Sequence, residues 1–181
     1  MCTFKNIVKF FISFLLSSIL FGKSNENEVM QSDLDSLNIL TKKSPERAIR
    51  FARELLKIVA PISESNFEYK INNTLGEIFL DLQMYGQAMS HFTEANMIRE
   101  KLGQGSAPWL LINIGNVYYQ QQKYIKAREY YLNGLDKFNS LKHNQDNRVS
   151  GRKVALSNLG RIEVRIKNYD KALNYFREAL D

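Results

Sequence analysis

Two histidines are the side chains of this 181-residue chain best suited to acid–base or metal chemistry near neutral pH. His91 comes one place before Phe92, and His143 lies in the polar run KHNQDN. A metal site needs several ligands at short spacing, and no cysteine or second histidine accompanies either residue. The pattern therefore predicts that His91 packs like an aromatic side chain and that His143 lies in a solvated turn.

Other stretches that could carry chemistry are also incomplete. The run GQGSAP lacks the Lys-Ser or Lys-Thr ending of a phosphate-binding loop, and no strand is expected before it. The chain has no G-x-S-x-G stretch of the kind that presents a nucleophilic serine. The carboxylates of Asp33 and Asp35 are expected on a solvated helix surface. We therefore predict no catalytic residues, no metal and no cofactor.

The N-terminus has the pattern of an export signal. Lys5 and Lys9 precede a twelve-residue run of apolar residues and serines, residues 10–21. This run is short for a membrane-spanning helix, which needs about 20 residues, and is typical of a signal peptide. The pattern predicts a signal peptide at residues 1–24 and a linker at 25–31, with an uncleaved membrane anchor as the alternative. The single cysteine, Cys2, allows no internal disulfide.

The charge balance does not favour a nucleic-acid partner. Removal of residues 1–24 takes away three lysines and lowers the formal net charge from +6 to +3. The remaining positive charge is spread along the chain, whereas nucleic-acid binders concentrate it on one face. We expect a protein that works outside the cytoplasm, in the periplasm or cell envelope. Only its N-terminal segment would touch a membrane, and only if that segment stays uncleaved.

The rest of the chain is built from repeats. Aligned on three glycines, it shows an aromatic residue after nine positions, an alanine after twelve, a second aromatic after sixteen and a small residue after nineteen. In order, these columns are Gly76, Gly115 and Gly160; Tyr85, Tyr124 and Tyr169; Ala88, Ala127 and Ala172; Phe92, Tyr131 and Phe176; Ala95, Gly134 and Ala179. Small residues let two antiparallel helices approach, and aromatic residues fill the space between them. Each hairpin leaves an apolar face that needs a stacked neighbour.

This pattern resembles the tetratricopeptide repeat, a helix-turn-helix unit with the signature W-x2-L-G-x2-Y, A-x3-F and a closing proline. The middle copy carries Ile114-Gly115, Tyr118, Ala127 and Tyr131 at the matching places. The resemblance implies an all-α, right-handed superhelical solenoid of antiparallel helix pairs. It covers about four hairpins at residues 32–62, 69–102, 107–141 and 148–181, and the last is uncapped.

The repeats depart from the family pattern in length. Gly76 and Gly115 are 39 residues apart, and Gly115 and Gly160 are 45 apart, against about 34 in the standard unit. All three copies also lack the closing proline. These departures predict longer second helices. In this respect the chain resembles exported bacterial arrays with elongated repeats. Ser106 is expected to cap the helix that begins near Pro108.

Tetratricopeptide arrays usually bind peptides in a concave groove, with first-helix residues that the core does not use. The resemblance therefore gives a set of candidate groove residues. For each of them, the alternative is a solvated position in the groove wall that contacts no ligand. They are Asn73, Glu77, Trp109, Ile112, Asn116, Tyr119, Gln120, Ser157, Arg161 and Arg165. A clamp for a C-terminal carboxylate is not expected, because Glu77 and Ser157 stand where that subtype has Asn and Lys.

Two functions from different classes are consistent with these patterns. The leading hypothesis is a non-enzymatic scaffold that binds a protein or peptide in its groove. The alternative is the sensor segment of a longer signal-transduction protein, with a histidine kinase or transcriptional regulator as its output domain.

Overall fold

The computed structural model describes residues 23–59, 66–141 and 145–180. These ranges hold eight helices and no strand. The helices are α1 (Lys23–Lys43), α2 (Pro45–Val59), α3 (Asn66–Asp81), α4 (Tyr85–Lys101), α5 (Pro108–Gln120), α6 (Tyr124–Ser140), α7 (Gln145–Arg165) and α8 (Tyr169–Leu180). The predicted all-α class is confirmed for this part of the chain. Residues 1–22 of the predicted signal peptide and His143 lie outside the described residues, and the predicted linker at 25–31 falls within α1.

The chain divides into two compact units, and the division falls within α2. The first unit, Met1–Phe51, contains α1 and the start of α2. Its buried apolar side chains include Leu34, Leu37 and Ala48. The second unit, Ala52–Asp181, contains α3 to α8, which form three consecutive antiparallel hairpins.

Each of the three hairpins closes on the same glycine–aromatic contact. A Cβ atom built on Gly115 would lie 2.5 Å from Cε1 of Tyr131, which shows that the ring lies directly against the glycine. Gly76 meets Phe92 and Gly160 meets Phe176 in the same way. Only a residue without a side chain lets the two helices of a hairpin approach so closely. The repeat columns are therefore columns of helix–helix contact.

The turn inside each hairpin is also repeated. Its left-handed residue is Gln83, Gln122 or Lys167, with φ between 59° and 62°. One residue later, a backbone N–H donates to a carbonyl five residues back, from Lys123 to Tyr118 at 2.9 Å in the middle copy. This hydrogen bond satisfies a carbonyl group that would otherwise be unpaired at the end of the first helix. The second helix then begins at the tyrosine that follows, Tyr124 in the middle copy.

Neighbouring hairpins share a core. Ile112 of α5, Tyr131 and Phe138 of α6, and Leu159 and Ile162 of α7 belong to one buried cluster. Phe138 lies against Gly151, where a larger residue would leave no room for its ring. The hairpin formed by α5 and α6 is therefore packed continuously against α7.

Two details of the helix ends differ from the sequence expectation. The N-cap of α5 is Ala107, in an extended conformation and without a side-chain hydrogen bond, so the assignment of Ser106 was wrong. The fixed φ of Pro108 suits the first helical position without help from a capping hydroxyl. The sequence also predicted longer second helices, whereas the longest helix of the three hairpins is a first helix, α7, with 21 residues against 13 in α5.

Candidate functional site

A cleft of about 390 Å³ lies across the first helices of the three hairpins. Its walls come from the end of α3, from the turn that leads to Tyr85 at the start of α4, from α5 and from α7. The lining residues are Leu80, Asp81, Gln83, Tyr85, Asn116, Tyr119, Gln120, Val154, Asn158 and Arg161. Most of these side chains are polar, so the cleft offers hydrogen-bonding groups and charges to a ligand.

A hydrogen-bonded chain of side chains fixes the floor of the cleft. The Tyr131 hydroxyl donates to Oδ1 of Asn116 at 2.7 Å, and Nδ2 of Asn158 donates to the same oxygen at 3.3 Å. Nη1 of Arg161 then donates to Oδ1 of Asn158 at 3.3 Å. Burial raises the pKa of the Tyr131 phenol well above its usual range, so the hydroxyl stays protonated and keeps donating. The network joins α5, α6 and α7 and orients the amide of Asn116.

Tyr119 is an aromatic residue of the cleft wall, and two arginines contact it. The guanidinium of Arg161 lies 4.8 Å from the ring centroid of Tyr119, within the range of a cation–π contact. Nε of Arg165 donates to the Tyr119 hydroxyl at 3.1 Å. The edge of the ring also contacts Tyr124, with centroids 5.6 Å apart. These contacts hold Tyr119 and both positive charges in defined positions.

A second polar cluster joins α3 and α5, on the surface that the first helices of the hairpins form together. Oε1 of Glu77 accepts hydrogen bonds from Nδ2 of Asn73 and from Nδ2 of Asn113, each at 2.8 Å. Asn113 also approaches Oδ1 of Asn73 at 3.4 Å. With Asp81, this cluster places two carboxylates on α3, whereas the two arginines are on α7. The charges of the surface are therefore separated between its first and last helices.

Metal chemistry finds no support in the described ranges. Over residues 23–59, 66–141 and 145–180, no three or more His, Cys, Asp or Glu side chains come together in a way that could hold a metal ion. Over the same ranges, no helix is long and apolar enough to cross a membrane.

The family model for the tetratricopeptide repeat matches residues 106–181, which contain the hairpins α5–α6 and α7–α8. Residues 106–181 are tetratricopeptide repeats. Such repeats generally mediate contacts between proteins and act as non-catalytic scaffolds.

Comparison with solved structures supports the same fold over more of the chain. The crystal structure of BtubC (BKLC) from P. vanneervenii matches with a TM-score of 0.68 and 18% sequence identity. The match covers 97% of this chain and 78% of that one. At this identity the likeness shows the fold and no shared partner. None of the curated proteins matches the chain.

The cleft of the tetratricopeptide array brings together four of the ten predicted groove residues. Asn116, Tyr119, Gln120 and Arg161 line it, and Arg165 contacts its wall through Tyr119. They meet because equivalent positions of successive first helices fall on one surface, as the repeat resemblance implies.

Ile112 is a correction to the predicted groove. Its side chain is only 1% exposed and belongs to the shared core. A Cβ atom on Gly134 would lie 2.8 Å from Cδ1 of Ile112, so this side chain fills the space that the glycine leaves on α6. Ile112 is therefore a packing residue and offers no side chain to a ligand.

Four other predicted residues lie apart from the cleft lining. Asn73 and Glu77 belong to the polar cluster with Asn113. Trp109 is half-buried, packs edge-on against Phe138 and donates from Nε1 to Oδ1 of Asn147 at 2.6 Å. These contacts hold the start of α5 to the end of α6 and to the start of α7. Ser157 is half-buried and is not part of the cleft lining.

Sequence reasoning missed six lining residues, although the alignment contained a signal for some of them. Asp81 stands in the same repeat column as Gln120 and Arg165, which were predicted. Leu80 and Tyr119 share another column. Asn158 had no comparable signal, because a buried amide is recognised only through its partners on neighbouring helices. The other three are Gln83, Tyr85 and Val154.

Proposed function

We propose that the cleft across α3, α5 and α7 binds a peptide segment of a partner protein. The observation that carries this proposal is the cleft floor of Asn116 and Asn158, which the buried Tyr131 hydroxyl holds in place, beside the wall of Tyr119 and Arg161. Polar side chains held in one geometry before binding lose little freedom when a ligand arrives. Such a surface suits a peptide, which carries a backbone N–H and C=O at every residue except proline.

The types of residue in the cleft also suit a protein ligand. Tyrosine and arginine are enriched among the residues that contribute most to binding energy at protein interfaces. Tyr119 and Arg161 stand together in the cleft wall, and Leu80 and Val154 add apolar contact. A peptide would lie across the three helices, near acidic groups on α3 and basic groups on α7. Its charges should follow the opposite order.

We further propose that the protein acts outside the cytoplasm, in the periplasm or cell envelope. This proposal rests on the N-terminal pattern of two lysines followed by the apolar run at residues 10–21. Cell fractionation followed by N-terminal sequencing tests it. An extracytoplasmic protein that begins at Asn25 supports it, and a cytoplasmic protein that keeps Met1 contradicts it.

The binding proposal is tested with peptides selected on the wild-type protein from a displayed random library. Gln120 and Arg161 are exposed residues of the cleft, so their replacement leaves the core intact. We expect Gln120→Ala with Arg161→Ala to weaken binding of the selected peptides about ten-fold or more, because an anchoring arginine is lost. Fluorescence anisotropy with a labelled peptide measures the dissociation constant.

The matched control is Asn133→Ala with Lys137→Ala on α6. These two side chains are also one neutral polar group and one cation, both exposed, and neither lines the cleft. The control should bind the same peptides as tightly as the wild type. Equal affinity of all three proteins, or loss of binding only in the control, overturns the proposal.

A further inference from the structure

The outer face of α8 carries exposed apolar side chains. Tyr169 is 63% exposed, Leu173 is 47% exposed and Leu180 is 81% exposed. Large apolar groups gathered on one helix face commonly mark a surface that contacts another protein. The cleft of the proposed function does not include any of these residues.

The equivalent face of α6 shows what covers two of these three positions. Tyr124 and Leu135 stand in the same repeat columns as Tyr169 and Leu180, and both are half-buried. They pack against the core cluster that α6 shares with α7. The face of α8 is therefore of a type that another helix covers, and no described helix covers it.

The spacing on α8 favours a second helix aligned along it. Tyr169, Leu173 and Leu180 are separated by four and seven residues, which places them in one seam of a heptad pattern. Phe176 would complete the seam but turns inward and lies against Gly160. The exposed seam is about three helical turns long, so it offers one short helix-to-helix contact.

One acidic and one basic residue beside this seam have opposite charges that a second copy of the same helix could pair. Lys171 approaches Glu163 at 3.6 Å and Glu178 approaches Arg152 at 3.4 Å, so both turn toward α7. Asp170 and Arg177 are exposed and stand seven residues apart on the same side of the seam. In the described part of the chain, neither forms an ion pair. Along one helix they are too far apart to pair with each other.

We propose that α8 packs antiparallel against α8 of a second copy of this chain. A two-fold axis between Leu173 and Asn174 places Asp170 of each copy opposite Arg177 of the other, so the dimer gains two equivalent ion pairs. The three apolar residues of each seam cover those of the other copy. Such an isologous contact is the commonest way in which identical chains associate.

The contact is small, so we expect a weak, concentration-dependent dimer. Sedimentation velocity of the full chain over a series of concentrations measures it. The mass should rise from monomer to dimer and stop there. Leu173→Arg should weaken association about ten-fold or more, because it places a charge in the middle of the apolar seam. Because this variant keeps residues 1–22, association through the N-terminal segment would persist in it and would overturn the proposal.

Charge exchange tests the antiparallel geometry. Asp170→Arg alone and Arg177→Asp alone each place like charges opposite one another, and each should weaken the homodimer about ten-fold. A mixture of the two variants should restore dimers, since every facing pair is then of opposite charge. The double variant with both substitutions should also dimerise. Asp136→Arg on α6 is the matched control and should associate like the wild type.

Several results would contradict the self-association of α8. A wild-type chain that stays monomeric shows that this face is free or is covered by something other than a second copy. A mixture of the two charge variants that stays monomeric rules out the antiparallel pairing. Circular dichroism of each variant shows that it retains its helices. The outcome does not depend on whether the cleft binds peptides.

Discussion

Oε1 of Glu163 lies 3.2 Å from Nη2 of Arg128, and this contact joins one hairpin to the next. The Glu163 side chain is only 1% exposed, and Lys171 approaches it at 3.6 Å from α8. In the preceding hairpin the equivalent of Glu163 is Tyr118, which stacks on Tyr130. A buried ionic contact therefore stands where the repeat pattern has an aromatic residue.

Removal of the Arg128 side chain should destabilise the array. Arg128→Ala leaves the Glu163 carboxylate buried with one more distant cation, Lys171. Because about a third of the Arg128 side chain is exposed, we expect a loss of only about 1–3 kcal/mol. Urea unfolding followed by circular dichroism measures it. Lys171→Ala is the control and should cost less, since its contact is longer and more exposed.

The same interface should tolerate an apolar replacement of the whole pair. In the preceding interface, the equivalents of Arg128 and Glu163 are Met89 and Tyr118. We expect the double variant Arg128→Met with Glu163→Tyr to be within about 1 kcal/mol of the wild type or more stable, because no charge is then left buried. The same urea titration measures the difference. A double variant less stable than Arg128→Ala would contradict this account.

Gly115 should resist substitution although it lies within a helix. Alanine there would place Cβ 2.5 Å from the Tyr131 ring, which is buried and held by its hydrogen bond to Asn116. We expect Gly115→Ala to lower the free energy of unfolding by about 1–3 kcal/mol, as overpacking does, despite the better helix propensity of alanine. Gly86→Ala is the matched control. Nothing lies within 4 Å of its added Cβ, so it should be neutral or stabilising by about 0.5 kcal/mol.

Glycine at position 122, in the turn between α5 and α6, should make the folded protein more stable. Gln122 has φ 60°, where the side chain of an L-residue is strained, and it is exposed. We expect Gln122→Gly to stabilise the protein by about 0.5–1 kcal/mol, after allowance for the greater freedom of glycine in the unfolded chain. Thermal unfolding measures the change. Gln87→Gly, at an exposed position of α4, should instead destabilise by about 1 kcal/mol, and equal effects of the two would show that the turn is unstrained.

The hairpins could be predicted from the sequence because their key contacts are local. Gly115 and Tyr131 are sixteen residues apart, and the same spacing recurs at Gly76 and Gly160. The alignment of columns also indicated Asn116 and Arg161 as neighbours on one surface. Both predictions follow from the repeat pattern alone, because every hairpin repeats the same contacts and places its equivalent residues on the same surface.

The errors arise where one repeat differs from the others. Ile112 shares a column with Asn73 and Ser157, but Gly134 on the next helix leaves a space that the Ile112 side chain fills. The contact between Arg128 and Glu163 joins residues of different repeats, so no single unit contains it. The depth of the Asn158 side chain depends on how closely α5 and α7 approach. The alignment of columns carries no information about that distance.

His91 should make stability depend on pH. Its ring stacks on Phe79 with centroids 5.4 Å apart, and Nδ1 lies 3.0 Å from Oδ1 of Asn72. Burial lowers the pKa of His91, the nearby charge of Arg53 lowers it further, and Glu94 partly offsets both. The folded protein therefore holds the neutral imidazole more strongly than the unfolded chain does.

The direction of the effect follows from this lowered pKa. Above the ordinary histidine pKa of about 6.5, both states are neutral and the full stability is present. As pH falls below that value, the unfolded chain binds a proton first, so the free energy of unfolding decreases by at most about 1.4 kcal/mol per pH unit. His91→Tyr, which introduces the residue found at Tyr130 and Tyr175, should remove this dependence between about pH 5 and 7. Urea unfolding at several pH values compares the two proteins, and parallel pH profiles would show that His91 is not the titrating group.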